Sequence, residues 1–182
     1  LIPEESKDNV FGIFSNNKGK VTHTRYFNTE TKGTAGYLKL NSNRIYILTS
    51  ENTASSSELV ISSLEPFMNI VLIGQLTEGK NVGMQEYSDD KYEWAYWPIT
   101  TRVTNAINSD YSAGFTPDYD WNEFNLSQNP EDTLLPLGDS NEFMLNKAIT
   151  LITGTHRKTR NMTILSQTIL RGQPVYQSID RH

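Results

Sequence analysis

The chain has 182 residues, no cysteine, 16 Lys+Arg against 21 Asp+Glu for a formal charge of −5, and 36% hydrophobic residues: one globular domain with a buried core and long polar loops. The lack of cysteine excludes disulfides, thiolate zinc sites and a cysteine nucleophile, and the mildly acidic balance with scattered Lys and Arg excludes the basic face of a nucleic-acid binder. The longest apolar run, Ile70-Val71-Leu72-Ile73, falls far short of the roughly 18–20 residues of a membrane span, and the opening Leu1-Ile2-Pro3-Glu4-Glu5 does not read as a signal peptide or a natural start.

In chain order, alternating segments 9–14 and 20–27 flank Asn16-Asn17-Lys18-Gly19, the composition of a β-hairpin. A polar loop over 28–36 leads to a short expected strand at 37–40 and a turn at 41–43. Residues 44–50 form an apolar, β-branched run that suits a buried strand, and Thr53-Ala54-Ser55-Ser56-Ser57-Glu58 opens a helix that Pro66 ends. A second apolar strand comes next at 69–73 and Gly74 closes it. Strand, helix and strand in about thirty residues make a βαβ unit, hence a parallel pair. Two strands are then expected at 83–87 and 93–103, and an irregular acidic and aromatic stretch at 109–124. A helix is expected over about 140–152, with Leu145, Ala148, Ile149 and Ile152 facing inward and Gly154 as its stop; a last strand is expected near 162–165. The division is 1–43 leading hairpin and loop, 44–154 core, and 155–182 C-terminal extension.

The segment Gly74-Gln75-Leu76-Thr77-Glu78-Gly79-Lys80-Asn81 matches G-x-x-x-x-G-K of a phosphate loop, but Asn81 stands where Ser or Thr must hold magnesium. Residues 82–88 have two-residue periodicity rather than that of the helix that would meet the phosphates, so no nucleotide is expected. Lys80 fits a different chemistry. A serine at the first turn of a helix after a buried strand presents its hydroxyl at the carboxyl edge of the sheet, and Lys80 leaves the next strand at that edge. A lysine serves as a general base only when neutral, so its ordinary pKa of about 10.4 has to be lowered by desolvation.

These residues resemble the tail-specific, or C-terminal-processing, serine peptidases. Their pattern is a strand, T-A-S-x-S-E opening a helix, an apolar strand ending in Gly, and T-x-G-K; here it reads Thr53 to Glu58, Ile70 to Gly74, and Thr77-Glu78-Gly79-Lys80. The resemblance implies Ser55 as nucleophile and Lys80, 25 residues later, as base. It implies Ser56 as the backbone donor to the oxyanion and Glu58 as a supporting residue. Gly114-Phe115-Thr116-Pro117-Asp118 and Leu137-Gly138-Asp139-Ser140-Asn141-Glu142 extend it, so that it covers about 44–154. Three features depart. The family's glutamine four residues after the lysine is Met84 here, with Gln85 one place off; its acidic residue eleven after the serine is Pro66, beside Glu65; and the paired-glycine oxyanion loop has no match.

The resemblance implies an α/β, crotonase-like layered fold with a mixed β-sheet and flanking helices, incomplete at the N-terminus. The implied function is serine endopeptidase action on extended or unfolded polypeptides, without cofactor or metal. The missing N-terminal part of the same protein is the expected partner, homo-oligomers are allowed, and the family implies the bacterial envelope as location. The competing reading is a catalytically silent peptide-binding or scaffold domain, in which Ser55-x-x-Glu58 is only a capping box. His23, His156 and His182 are weak triad candidates, with His156 and Asp139 the best pair for a Ser/His/Asp site. Residues 110–123 mix carboxylates and aromatics in the manner of a calcium or sugar site, but their punctuation by Gly114, Pro117 and Asn122 reads as turns.

Overall fold

The computed structural model describes residues 6–30, 44–89, 91, 93–125 and 134–154; the strands expected at 37–40 and 162–165, with His156 and His182, lie outside the described residues. The leading hairpin forms from β1 (Val10–Asn16) and β2 (Val21–Tyr26) in antiparallel register. Its turn works because the Asn16 side chain accepts the amides of Lys18 and Lys20, each at 3.0 Å, while Gly19 supplies the left-handed residue at φ 74°. A single helical turn, α1 (Phe27–Glu30), comes after it.

The βαβ unit is present as β3 (Arg44–Thr49), α2 (Ser56–Leu64) and β4 (Asn69–Gly74). The two strands pair in parallel without a slip, from Arg44 against Asn69 to Thr49 against Gly74, so the loops after Thr49 and Gly74 emerge together at the carboxyl edge. The inner face of α2 buries Ile61, Ser62, Ser63 and Leu64. Leu64 joins Phe27 and Met68 in a core against Phe11, Ile45, Phe67 and Ile70.

The two strands expected beyond Lys80 each divide. The first becomes β5 (Val82–Met84) and β6 (Tyr87–Asp89), and the second becomes β7 (Trp94–Tyr96) and β8 (Ile99–Thr104). Pro98 accounts for the second break, since it has no N–H to extend a ladder. β6 and β7 form their own ribbon, whereas β5 and β8 join the hairpin in a sheet of order β2-β1-β8-β5. The stretch 109–124, expected to be irregular, contains β9 (Tyr119–Asp120), which pairs in parallel with β4. Asp118 sets that pairing: its amide donates to Leu72 O at 2.9 Å and its carboxylate accepts Leu72 N at 2.8 Å. Two residues are too few for any periodicity to announce. The class is therefore α/β, with parallel and antiparallel pairing in separate sheets.

Helix α3 (Phe143–Thr153) starts later than expected, because Asp139 is taken up in a turn with the Asn141 amide and the cap falls to Glu142. The Glu142 carboxylate accepts from Met144 N at 2.9 Å and Leu145 N at 2.8 Å, and Gly154 closes the helix at φ 68°. Met144 and Ala148 face the core while Ile152 is 61% exposed, which corrects its expected inward position. Lys147 lies over the rings of Tyr119 and Trp121 at 4.8 and 4.6 Å and ties α3 to β9.

The same cap carries a pH dependence. Desolvation, then the charge of Glu142 and a hydrogen bond to it, raise the pKa of Glu123 above the usual carboxylate range. The folded state thus holds this proton more tightly than the unfolded chain. The associated stability is full in acid and is lost as pH rises from the ordinary value through the raised one. Glu123→Gln, which keeps a donor and removes the charge, is expected to raise the melting midpoint by about 1–3 °C at pH 8 and leave it unchanged at pH 4. Equal shifts at both pH values in calorimetry would contradict the raised pKa of Glu123.

Candidate active site

The carboxyl edge of β3 and β4 is fixed by short-range bonds that the local sequence dictates. Thr49 Oγ1 donates to Gln75 O at 3.0 Å and Gln75 N to Thr49 O at 3.1 Å, so the two loops separate from a common point. Gly74, at φ 138°, is required there, since a Cβ would lie 1.8 Å from Thr49 O. Ser50 and Thr53 close a turn through Ser50 N to Thr53 Oγ1 and Thr53 N to Ser50 O, both 2.9 Å. The Glu78 amide donates to Thr53 O at 3.0 Å and draws the second loop against the first.

Between that turn and α2 stands Ser55 with φ 53° and ψ −113°. A non-glycine residue here is strained by about 1–3 kcal/mol and persists only where its surroundings impose it. The imposed shape is a sharp strand-to-helix elbow with the serine at its apex, half-buried. The next residue, Ser56, is the first of α2 and exposed; no hydrogen bond engages its amide among the described residues. That amide sits at the positive end of the helix dipole, where negative charge is stabilised.

Glu58 organises both loops. It is fully buried, and its carboxylate accepts four hydrogen bonds: Thr77 Oγ1 at 2.5 Å and Gly79 N at 2.6 Å on Oε1, Ser55 N at 3.0 Å and Lys80 N at 2.7 Å on Oε2. Because one oxygen holds the amides of both Ser55 and Lys80, those amides lie within about 6 Å of each other. Glu58 thus does more than complete the expected cap. It joins the first turn of α2 to the loop carrying Lys80.

A third segment locks that loop from outside. Thr77 Oγ1 accepts Phe115 N at 2.8 Å, and a Cβ on Gly79 would lie 2.4 Å from Ser112 O. A Cβ on Gly114 would in turn lie 2.1 Å from Thr77 O, so the two backbones touch without side chains between them. Tyr111 is buried beside this contact and stacks on Phe115 at 5.2 Å. Desolvation, with smaller contributions from the charges of Glu58 and Asp110, pushes its pKa up to about 12, so it stays a neutral phenol. Asp110 accepts from Asn81 Nδ2 at 2.5 Å, Ser112 N at 3.1 Å, Ser112 Oγ at 2.9 Å and Arg102 at 2.9 Å. Burial alone would raise its pKa, but the bonds from Ser112 and Arg102 outweigh that and hold it below the usual range. Its carboxylate is used in a turn, and the described residues contain no group of three or more potential metal ligands.

The expected site residues are therefore brought together as backbone. Ser55, Ser56, Glu58 and Lys80 meet at one edge, and Lys80 is half-buried. Among the described residues no hydrogen bond joins the Ser55 hydroxyl to the Lys80 ammonium. Gln85 is exposed beyond β5, where its side chain accepts a long 3.5 Å bond from Tyr87 OH. Glu65 lies at the C-terminal end of α2 and receives Asn105 Nδ2 at 3.4 Å. His23 stacks on Phe14 at 4.4 Å in β2, three strand spacings or about 14 Å from β5. The phosphate-loop pattern fails on two counts: Lys80 and Asn81 lead into a strand, and the Gly79 and Lys80 amides already serve Glu58. Sequence reasoning missed Thr77 as a partner of Glu58 and Tyr111 as a wall; the only signal for either was the threonine of T-x-G-K.

A family model, peptidase family S41, matches residues 6–121. The chain belongs to peptidase family S41. A comparison with curated proteins found no match. Among solved structures, the chain is similar to a protein described as an S41 protease from Bacteroides fragilis, with a TM-score of 0.70 and 30% identity, covering 85% of this chain. It spans 39% of that protein's length. A photosystem II D1 C-terminal processing protease is also similar, at a TM-score of 0.45 and 16% identity over 64% of this chain and 28% of the other.

Proposed function

We propose that this chain carries the nucleophile and the general base of a serine peptidase that cuts extended or unfolded polypeptides. The observation that carries the reading is the strained backbone of Ser55, at φ 53° and ψ −113°, placed on an elbow before a helix. Strain of this kind is a cost that a mere helix cap does not require, because caps form with ordinary β-region torsions. Ser55 Oγ attacks the scissile carbonyl carbon while Lys80 Nζ accepts its proton. The tetrahedral oxyanion is held by the Ser56 amide, and collapse expels the amine, which takes the proton back from Lys80. Water then repeats the sequence on the acyl-enzyme with Lys80 again as base. Glu58 positions both partners, and Gln85 is a helper that polar contact with a bound substrate would engage.

The second oxyanion donor, on this reading, comes from the part of a longer protein that the chain does not contain, acting outside the cytoplasm in the envelope. No cofactor enters the scheme, and homo-oligomers are compatible with it. Because only the unprotonated amine accepts a proton, kcat/KM of the full-length protein is expected to climb by roughly tenfold per pH unit on its acid side. A flat profile between about pH 5 and about pH 10, on a peptide substrate without titratable groups, would remove Lys80 as the base.

A further inference from the structure

The β6–β7 ribbon begins seven residues after Lys80 and exposes aromatic side chains to water on a scale no core requirement explains. Trp94 is 73% exposed, Tyr96 60%, Trp97 54% and Tyr87 43%, with Met84 at 50% and Ile99 at 60% beside them. Scattered exposed apolar residues are ordinary, but a contiguous group of this size marks a contact surface. Tyr87 and Tyr96 stack on each other across the ribbon at 5.6 Å and 17°. Such rigid, amphipathic rings supply contact area at little conformational cost.

Two further observations say what lies on this surface. The ribbon is continuous with β5, an end strand of its sheet whose described neighbour is β8 on one side. Among the described residues no strand pairs with the other side of β5, a three-residue edge whose outward backbone groups pair best with an extended chain. Met84 ends β5 four residues after Lys80, so the edge and the loop before it can align at most about four residues of a guest strand. The second observation is charge: among the described residues of 85–97, Glu86, Asp89 and Glu93 are exposed against the single Lys91. Aromatic faces and surrounding carboxylates both favour cations and both disfavour an acidic guest.

We propose that the β6–β7 ribbon is a docking platform for an extended polypeptide segment that carries a large apolar side chain next to Lys or Arg. The guest backbone runs along the outer side of β5 toward Ser55. Its apolar side chain lies on Tyr87, Tyr96 and Trp94, and its cation lies over the rings and among the carboxylates. The direction of the guest rests on the peptidase reading; the selectivity of the platform does not.

The test uses the full-length protein with Ser55→Ala, so that binding is read without turnover, and dye-labelled peptides of about ten residues in a Gly/Ser background. Fluorescence anisotropy is expected to give at least about tenfold tighter binding for a central Phe-Lys or Leu-Arg pair than for Ser-Ser or Phe-Glu. Binding should weaken between about 50 and about 500 mM salt. The double change Trp94→Ser and Tyr96→Ser, at exposed positions, should abolish the preference while the far-UV spectrum stays the same. Equal affinity for all four peptides, or a preference that survives the double change, would overturn the platform. So would a double change that altered only the sedimenting mass, which would assign the surface to a second copy. Discrimination that persists in an otherwise native protein unable to hydrolyse the preferred peptide would sustain the platform and remove the peptidase reading instead.

Discussion

Ser55→Ala in the full-length protein is expected to lower kcat/KM on an unfolded protein substrate by at least about a thousandfold, equivalent to roughly 4 kcal/mol of transition-state stabilisation. Lys80→Ala should cost about 10²–10⁴, the range of a lost general base. The double variant should be no worse than Ser55→Ala alone, because a base without a nucleophile has no proton to take. Peptide affinity should be nearly unchanged in all three, since neither side chain is asked to bind the ground state. The fold should tolerate both changes: Ser55 and Lys80 are half-buried, and the bonds that hold their backbones run from their own amides to Glu58. Turnover that survives Lys80→Ala would show that another group takes the proton. Turnover that survives Ser55→Ala but not Ser56→Ala or Ser57→Ala would move the nucleophile along α2.

The second large effect falls on Glu58. Its removal as Glu58→Ala strands four donors: that of Thr77, which is buried, and those of Ser55, Gly79 and Lys80, which are half-buried. An unsatisfied buried donor costs about 1–3 kcal/mol and a half-buried one less, so the sum is a large fraction of the stability of an ordinary domain and the alanine variant is expected to be severely destabilised. Glu58→Gln retains the shape and one oxygen but turns its amide group toward two of the donors, which predicts a loss of about 2–6 kcal/mol in chemical denaturation. Below its melting point this variant separates two roles. A positioning role predicts that kcat drops at least about tenfold with KM little changed, because Ser55 and Lys80 lose their common anchor. A folded Glu58→Gln protein with unchanged kcat would leave Glu58 as a structural hub only.

Legibility in the sequence differs sharply between the fold and the site. The βαβ unit is readable because apolar runs at 44–50 and 69–73 bracket a capped segment that is apolar on most of its circumference, and such local patterns survive folding intact. β9 and the split strands are not, because their pairing is decided by a distant carboxylate at Asp118 and by the interrupted ladder at Pro98. In the site, the spacing of Ser55 and Lys80 and the S-x-x-E cap can be read directly. The torsion of Ser55 cannot, since it is forced jointly by the Ser50–Thr53 turn, the Glu78 amide on Thr53 and the pull of Glu58. The same holds for Glu58 itself. A cap three residues away is a local rule, whereas its bonds to Thr77, Gly79 and Lys80 span 19 to 22 residues and depend on where β4 ends.

The whole mechanism depends on Ser55 being the nucleophile. The most direct test is acid-quenched mass spectrometry of the full-length protein during turnover of an activated ester, with tandem sequencing of the acylated peptide. A Ser55 nucleophile requires an acyl group on Ser55, absent in Ser55→Ala and slow to form in Lys80→Ala. An acyl group on Ser56 or Ser57, or turnover with no acyl-serine at all in residues 53–58, would contradict it.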